Sequence, residues 1–253
     1  MTGQFDLTGS VALVSGGGSG IGQRIAIALA GAGAAVVVAA RRMEKLEETR
    51  AEIEAEGGKA ACLQADLEDI DGLEDIAAKA AQPFGAPDIL VNAAGVNFRE
   101  VAADVTAESW NRTLAINLTT PFFLARALVP GMKKKGRGRV VNIASLQTVR
   151  ALPNGIAYGA SKGGVGQLTR AMAEEWSRFG ITCNAIAPGF FPTELTAPVY
   201  EDQGRLDALA AQTAMGRNGE LNDLDGLAIF LSAPASDYIT GQTIFIDGGF
   251  TAK

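Results

Sequence analysis

The sequence predicts an α/β fold with a single doubly wound parallel sheet and helices on both of its faces. Short runs rich in β-branched residues alternate with longer helical patterns along the chain, as expected for βαβ crossovers. These short runs are apolar throughout, which is typical of strands that are covered on both faces. A glycine-rich turn joins the first of these runs to a helical pattern, which indicates a ligand-binding edge of the sheet.

Strands and the helices between them account for most of the chain. The strands are predicted at residues 11–15, 36–39, 60–64, 89–92, 140–144, 181–187 and 243–246, and the helices at 21–31, 43–56, 73–81, 109–133 and 158–177. No repeat or linker interrupts this alternation, so residues 1–253 are expected to form one domain. Residues 190–215 are irregular and follow the carboxyl end of a strand, where a substrate lid is expected.

The composition excludes several classes of protein. The 253-residue chain carries 22 basic and 28 acidic residues and a net charge of −6, so it lacks the basic excess of nucleic-acid-binding proteins. It contains no histidine, which excludes a Ser-His-Asp triad and leaves too few ligands for a metal site. Cys62 and Cys183 are far apart and lie in apolar runs, so both are expected to be buried, reduced thiols.

The sequence also argues against a membrane or secreted location. Residues 1–8 are too few and too polar for a secretion signal. The most apolar window, residues 25–40, is too short to span a bilayer and contains Gly31 and Gly33. We therefore expect a cytoplasmic protein with no membrane partner.

The glycine-rich turn at residues 16–22 is the first candidate binding site. Glycine lets the backbone turn tightly and approach a pyrophosphate, and the following helix N-terminus offers free N–H groups and a positive dipole end. An ordinary tight turn is the alternative, but the order of strand, turn and helix favours dinucleotide binding in a Rossmann-type fold. The residues expected to contact the cofactor here are Gly16, Gly18, Ser19, Gly20, Ile21 and Gly22.

The end of the second predicted strand bears on the choice of cofactor. A site for NAD often places a carboxylate there to bind the ribose 2′-hydroxyl. This chain has Ala40 followed by Arg41 and Arg42, and two guanidinium groups suit a 2′-phosphate. The alternative is that both arginines only solvate a helix start, but a basic pair at a helix N-terminus opposes the dipole and needs compensation. We therefore expect NADP(H) to be preferred, with NAD(H) as a second cofactor.

A serine, a tyrosine and a lysine form the third motif. Tyr158 and Lys162 are four residues apart and would lie on one face of a helix. A nearby ammonium lowers the pKa of a phenol, so Tyr158 could serve as an acid or base near neutral pH. Ser145 ends the adjacent strand, where its hydroxyl could polarise a carbonyl. A lone Tyr-x-x-x-Lys pair is usually a surface feature, but the serine and the upstream glycine turn favour a catalytic set.

Taken together, these motifs resemble those of the one-domain short-chain dehydrogenase/reductases, from about Leu7 to Gly249. The resemblance implies a homotetramer, a nicotinamide cofactor and hydride transfer between an alcohol and a ketone. It adds Asn117 to the catalytic set of Ser145, Tyr158 and Lys162, as the residue that holds a water in a proton relay. Lys162 would also bind the nicotinamide ribose. From the residues alone, Asn117 could equally be a polar side chain that caps or kinks a helix.

The same resemblance extends the set of cofactor contacts. It implies contacts to the adenine end, along the fourth strand and in the segment that closes over the nicotinamide. The residues involved are Asp66, Leu67, Asn92, Ala94, Gly95, Pro188, Gly189, Phe191 and Thr193, together with Tyr158 and Lys162.

The substrate is predicted from the loops beside the expected catalytic residues. Their polar side chains suit a hydroxylated or carboxylated small molecule, and the segments 145–154 and 190–199 are most similar to gluconate 5-dehydrogenase-like members of the family. The candidate substrate contacts are Asn97, Arg99, Gln147, Thr148, Arg150 and Asn154. One alternative is a 3-oxoacyl thioester (ACP) reductase, for which the basic residues between Lys133 and Arg139 could form a docking rim. A non-enzymatic alternative is a dinucleotide-sensing scaffold on the same fold.

Overall fold

A computed structural model, which describes residues 3–253, contains a seven-stranded sheet with the strand order β3-β2-β1-β4-β5-β6-β7. All neighbouring strands are parallel, so the predicted fold class is confirmed. The strands are β1 Val11–Ser15, β2 Ala35–Ala40, β3 Lys59–Gln64, β4 Ile89–Asn92, β5 Gly138–Ile143, β6 Ile181–Pro188 and β7 Thr243–Ile246.

The order of the strands creates a crevice between β1 and β4. The chain runs outward from β1 to β3 and then returns to β4 on the other side of β1. Ser15, the last residue of β1, lies opposite Ala39 in β2 and Asn92 in β4. Connections leave the sheet in opposite directions at such a point, so ligands bind beyond the carboxyl ends of these strands.

Helices cover both faces of the sheet. They are α1 Gly20–Gly31, α2 Met43–Ala55, α3 Leu73–Ala80, α4 Ala107–Leu114, α5 Thr120–Lys135, α6 Ile156–Trp176, α7 Ala197–Tyr200, α8 Gln203–Gln212 and α9 Asp225–Ser232. Helices α1, α2 and α9 pack with Val14 and Val36 on one face, whereas α3, α5 and α6 pack with Leu13 and Val37 on the other. Successive strand residues therefore enter two different cores, which explains why the strand sequences lack polar alternation.

The structure corrects one predicted helix and contains another that the sequence pattern does not predict. The helix predicted at residues 109–133 is interrupted by a π-helical turn, Ala115–Thr119, between α4 and α5. Helix α9 was not predicted, because its short apolar sequence shows no clear polar face and resembles a buried strand. The irregular segment expected at 190–215 contains the short helices α7 and α8.

The helical run Ala107–Lys135 is long and apolar enough to cross a membrane, judged by length and composition alone. In the fold it is a core helix, because Leu124, Leu128 and Met132 are buried in the same cluster as residues of α3 and β4.

Of the two cysteines, Cys183 is buried as expected, but Cys62 is only half-buried because β3 is the edge strand of the sheet.

Candidate active site

The turn between β1 and α1 brings two backbone segments into close contact. Gly16 has a φ of 70°, and a Cβ atom at this position would lie 2.7 Å from the backbone nitrogen of Ala94. A Cβ at Gly22 would likewise collide with the carbonyl of Gly16. The side chain of Ser19 precedes α1 without making a capping hydrogen bond to any described residue. The first N–H groups of α1 therefore face the cavity without side-chain partners, as anion binding requires.

The carboxyl ends of β1 and β4 are joined by a hydroxyl group. Ser15 Oγ accepts hydrogen bonds from the backbone nitrogens of Ala93 and Ala94, at 3.2 and 3.4 Å. Asn92 Nδ2 donates to Asn142 Oδ1 at 2.9 Å, so this buried amide links β4 to β5. The side chain of Asn92 thus lies within the sheet, whereas the resemblance had implied a cofactor contact.

Ser145, Tyr158 and Lys162 converge on a cavity of about 410 Å³ that also contains the glycine turn. Ser145 follows β5, and the other two lie one turn apart on α6. Lys162 is buried, and its Nζ lies 5.6 Å from the centre of the Tyr158 ring. The same Nζ donates a hydrogen bond to the carbonyl of Ile143 at 2.6 Å, which fixes the ammonium beside the phenol.

Burial dominates the electrostatics of this cluster. Burial raises the pKa of Tyr158, while a hydrogen bond with Ser145 and the charge of Arg99 lower it. Burial also lowers the pKa of Lys162 to about 8. The cation that lowers the pKa of the phenol is thus Arg99, where the sequence had suggested Lys162. The difference arises because Lys162 is itself desolvated and is bound by a backbone carbonyl.

Asn117 lies in the π-helical turn between α4 and α5, with its side chain fully paired. Its Oδ1 accepts from the backbone nitrogen of Val96 at 2.9 Å, and its Nδ2 donates to the carbonyl of Val96 and to Ser161 Oγ, both at 3.0 Å. The side chain therefore ties the loop after β4 to α6. π-helical turns inside α-helices often occur at functional sites, and this one places Asn117 beside the helix that carries Tyr158.

The adenine end of the predicted site forms a separate cleft of about 110 Å³. Its lining includes Arg41, Asp66, Leu67, Ala94 and Gly95. Gly18 lies outside this cleft, where a Cβ atom would lie 3.2 Å from Cβ of Lys45.

Arg42 has a partner that the sequence did not reveal. Its Nη2 donates to both carboxylate oxygens of Glu194, at 2.9 and 2.7 Å, although the two residues are 152 positions apart. Arg41 is 61 % exposed and lies 3.9 Å from Glu68. A 2′-phosphate at this position would therefore compete with Glu194 for Arg42, whereas Arg41 is the more available of the two arginines.

The segment after β6 folds over the glycine turn. Pro188, Gly189, Phe191 and Thr193 all line the main cavity, as the resemblance implied. A Cβ atom at Gly20 would lie 3.1 Å from the methyl group of Thr193, so this segment rests on the N-terminus of α1. The lining also includes six residues that are not among the predicted site residues, namely Ala93, Ile143, Ala144, Glu194, Leu195 and Thr196, of which the last three follow Thr193. Thr193 and Thr196 form a capping box, which is the local signal that could have marked this turn.

Three of the candidate substrate residues lie beside Tyr158. Asn97, Arg99 and Asn154 line a small cleft next to the phenol. Arg99 and Asn154 have positive φ angles of 56° and 58°, an uncommon backbone conformation that often marks functional sites.

The remaining candidates line neither this cleft nor the main cavity. Gln147 packs against Gly155 and Gly159, and Thr148 Oγ1 donates a hydrogen bond to the carbonyl of Lys162. The guanidinium of Arg150 lies 6.0 Å from the centre of the Phe250 ring.

Comparisons with known proteins agree with this geometry. The family model for enoyl-(acyl carrier protein) reductase matches residues 16–251. Gluconate 5-dehydrogenase of Gluconobacter oxydans (strain 621H) is 39% identical over 249 residues, which cover 98% of this chain and 97% of the relative. The 2-dehydro-3-deoxy-D-gluconate 5-dehydrogenase of Bacillus subtilis (strain 168) is also 39% identical, with the same coverage of 98% and 97%.

A solved structure is similar over the whole fold. The gluconate 5-dehydrogenase from Burkholderia cenocepacia J2315, in complex with NADP and tartrate, has a TM-score of 0.94 and 38% sequence identity. The similarity covers 99% of this chain and 98% of that structure.

The close contact at Gly16 can be tested with a matched pair of glycine variants. Gly16→Ala should lower the free energy of unfolding by about 1–3 kcal/mol, because the residue is left-handed and its Cβ would meet Ala94. Gly31→Ala, at an exposed helical position with no atom within 4 Å of the added Cβ, should be neutral or stabilising. Chemical denaturation measures both. Equal effects of the two substitutions would contradict this account of the turn.

Proposed function

The chain belongs to the short-chain dehydrogenase/reductase family, and we propose that it transfers hydride between NADP(H) and a sugar acid, with gluconate and 5-ketogluconate as the model pair. The observation that carries the proposal is the convergence of Ser145, Tyr158 and Lys162 on one cavity with the glycine turn. Together with Asn117, these three residues complete the predicted catalytic set of four. The presence of all four argues against a catalytically silent scaffold that only senses the dinucleotide. A protein that only bound the cofactor would not need these side chains together.

The residues around the cavity fit a dinucleotide. A pyrophosphate would lie against the free N–H groups at the start of α1, where the glycines leave room that a Cβ would fill. Arg41, and Arg42 after release from Glu194, would bind the 2′-phosphate. When bound, the nicotinamide ring supplies or accepts the hydride.

Tyr158 is assigned as the general acid and base. In the reductive direction its hydroxyl donates a proton to the substrate oxygen, and in the oxidative direction its phenolate removes the proton of the alcohol. Ser145 hydrogen-bonds the same oxygen and stabilises negative charge as it develops there. Lys162, held by the carbonyl of Ile143, orients the cofactor ribose, and the charge of Arg99 stabilises the phenolate. Asn117, in its π-helical turn, supports the route of the proton to solvent.

A charged side chain beside Tyr158 favours an acidic substrate. Arg99 is half-buried, and burial is the main cause that lowers its pKa, followed by the charge of Arg205. Its Nη2 donates to the carbonyl of Leu195 at 3.0 Å, and it forms no salt bridge within residues 3–253, although Glu100 also lines the cleft. A desolvated cation without a salt bridge next to the reacting oxygen is stabilised when an anion binds. The carboxylate of a sugar acid supplies that charge.

The acyl carrier alternative is less well supported. The basic run from Lys133 to Arg139 leads into the amino end of β5, whereas Ser145 follows the carboxyl end of the same strand. A carrier protein docked on that run would present its thioester at the wrong edge of the sheet. The curated relatives named above act on sugar acids, as their names state, which also favours the proposed substrate class.

We further propose that the protein is a cytoplasmic homotetramer with residues 190–215 as its substrate lid. Both cysteines are free, and burial raises the pKa of Cys62 to about 11 and of Cys183 to about 12. Such thiols are unreactive, and it is the absence of a disulfide between them that suits a reducing compartment. Phe122 and Phe123 on α5 are only partly buried within the chain, so a second subunit could cover them.

The acid–base role predicts the effect of a single hydroxyl group. Tyr158→Phe should reduce turnover of 5-ketogluconate by about 10²–10⁴-fold, since no histidine is present to replace it. Cofactor affinity and circular dichroism should stay unchanged, because the aromatic ring is retained. Tyr238→Phe, at a fully exposed position, is the control. Near-normal turnover of Tyr158→Phe would overturn the mechanism.

The role of Arg99 predicts a loss that depends on substrate charge. Arg99→Gln should raise KM for gluconate by about ten- to a hundredfold, the value of a charge-assisted hydrogen bond. KM for a neutral polyol such as sorbitol should change little. Arg178→Gln, at an exposed arginine just after the C-terminal end of α6, is the control. An equal loss for both substrates would assign Arg99 a purely structural role.

The contact between Arg42 and Glu194 predicts opposite effects of two substitutions. Arg41→Ala should raise KM for NADPH by about tenfold or more and spare NADH, because it removes a charge-assisted contact to the 2′-phosphate. Glu194→Gln should lower KM for NADPH by about two- to fivefold, because it removes an exposed competitor for Arg42. Steady-state kinetics with both cofactors test this. Equal activity of the unmodified protein with NADPH and NADH would contradict the preference.

A further inference from the structure

A second large cavity lies at the opposite edge of the sheet from the candidate active site. It has a volume of about 690 Å³ and is lined by the amino ends of β5 and β6 and by the loop that precedes β7. Arg139 lies in the wall of this cavity, six residues before Ser145. At the usual rise of a strand, six residues place Arg139 about 20 Å from Ser145. Substrate and cofactor at the active site therefore do not reach it.

Arg139 is the most deeply buried charge in this cavity. Its side chain is 4 % exposed. It donates to the carboxylate of Asp237 and to the carbonyl of Gly138, but its Nε has no partner in residues 3–253. Burial lowers the pKa of this arginine, Asp237 opposes that effect, and the neighbouring charge of Arg137 lowers it further.

Arg137 adds a second guanidinium with buried, unpartnered nitrogens. Its Nε and Nη2 atoms are inaccessible to solvent and make no hydrogen bond to any described residue. The hydroxyl of Thr182, a residue that is 7 % exposed, is unpartnered as well. Four donor atoms thus lack acceptors at this site, and they belong to two arginines and one threonine.

The charges in the cavity are also unbalanced. Two adjacent guanidinium groups line the cavity with one carboxylate, Asp237, which is 67 % exposed and pairs with Arg139. The charge of Asp88 also raises the pKa of Arg139, but Asp88 does not line the cavity. Buried charges without partners destabilise a fold, and like charges side by side add to that effect. An anion with several acceptor oxygens would supply the missing charge and the missing acceptors together.

We propose that this cavity binds the phosphate group of a small molecule. A tetrahedral oxyanion presents enough oxygens for Arg137, Arg139 and Thr182, whereas a carboxylate presents two. The unpartnered atoms have almost no accessible surface, so these side chains would turn toward the cavity as the anion binds. The cavity is larger than one phosphate ion needs, so a phosphate monoester of a small metabolite fits as well as inorganic phosphate. The bound group would join the amino ends of β5 and β6 and stabilise the fold there.

The test is the thermal unfolding midpoint of the full-length protein at constant ionic strength. Inorganic phosphate should raise the midpoint by about 3–5 °C at ten times its dissociation constant, whereas chloride should not. Glycerol 3-phosphate, compared with glycerol, separates a monoester from the free ion, and the stronger shift identifies the source. No shift with either phosphate compound would overturn the proposal.

Substitutions inside and outside the cavity test where phosphate binds. Arg137→Gln should abolish the phosphate shift and leave kcat unchanged, and Thr182→Val should weaken the shift while keeping the shape of the side chain. Arg41→Ala should retain the full shift, which excludes binding at the cofactor site. An unchanged shift in Arg137→Gln, or its loss in Arg41→Ala, would overturn the assignment. So would subunit dissociation of Arg137→Gln in light scattering, because a carboxylate of a second copy would then occupy the cavity.

Discussion

The close approach of the carboxyl ends of β1 and β4 is the constraint on which the rest of the site depends. The hydroxyl of Ser15 accepts two backbone hydrogen bonds from the chain that leaves β4. Gly16, directly after it, passes so near Ala94 that no side chain fits between them. The chain must then turn into α1 within a few residues, which leaves the helix N-terminus at the floor of the cavity. The main cavity and the adenine cleft both open from this junction.

The polar groups of the site are buried but attached to the main chain. Lys162 donates to the carbonyl of Ile143, and Asn117 pairs with both backbone groups of Val96. Such contacts hold each side chain in one orientation. The ammonium group of Lys162 is held without an acidic partner that would neutralise its charge. The cation therefore remains available to a cofactor or substrate, and burial keeps the pKa of Lys162 near 8. Preorganised groups of this kind need little rearrangement as charge develops during a reaction.

The two edges of the sheet are chemically distinct. At the carboxyl edge, the start of α1 borders the main cavity, Arg41 borders the neighbouring cleft, and Arg99 lies beside Tyr158. At the amino edge, the end of the basic run enters a separate cavity with Asp237 as its exposed counter-charge. Because β5 spans both edges, a single strand connects Arg139 with Ser145. Sequence proximity alone would assign both residues to one site, but the direction of the strand separates them.

The sequence by itself determined the parallel sheet, its seven strands to within two residues at each end, and the glycine turn and the Ser145, Tyr158 and Lys162 set that line the cavity. These follow from local chemistry, because apolar runs, glycine spacing and the four-residue interval from Tyr158 to Lys162 act over short distances along the chain. Only the tertiary structure decided how charges pair across long separations. It placed Glu194 on Arg42, Arg99 beside Tyr158, and two arginines in a second cavity with nitrogens that have no partner in residues 3–253. It also introduced the π-helical turn at Asn117. Burial and ion pairing depend on which elements come together in space, and no local pattern records that.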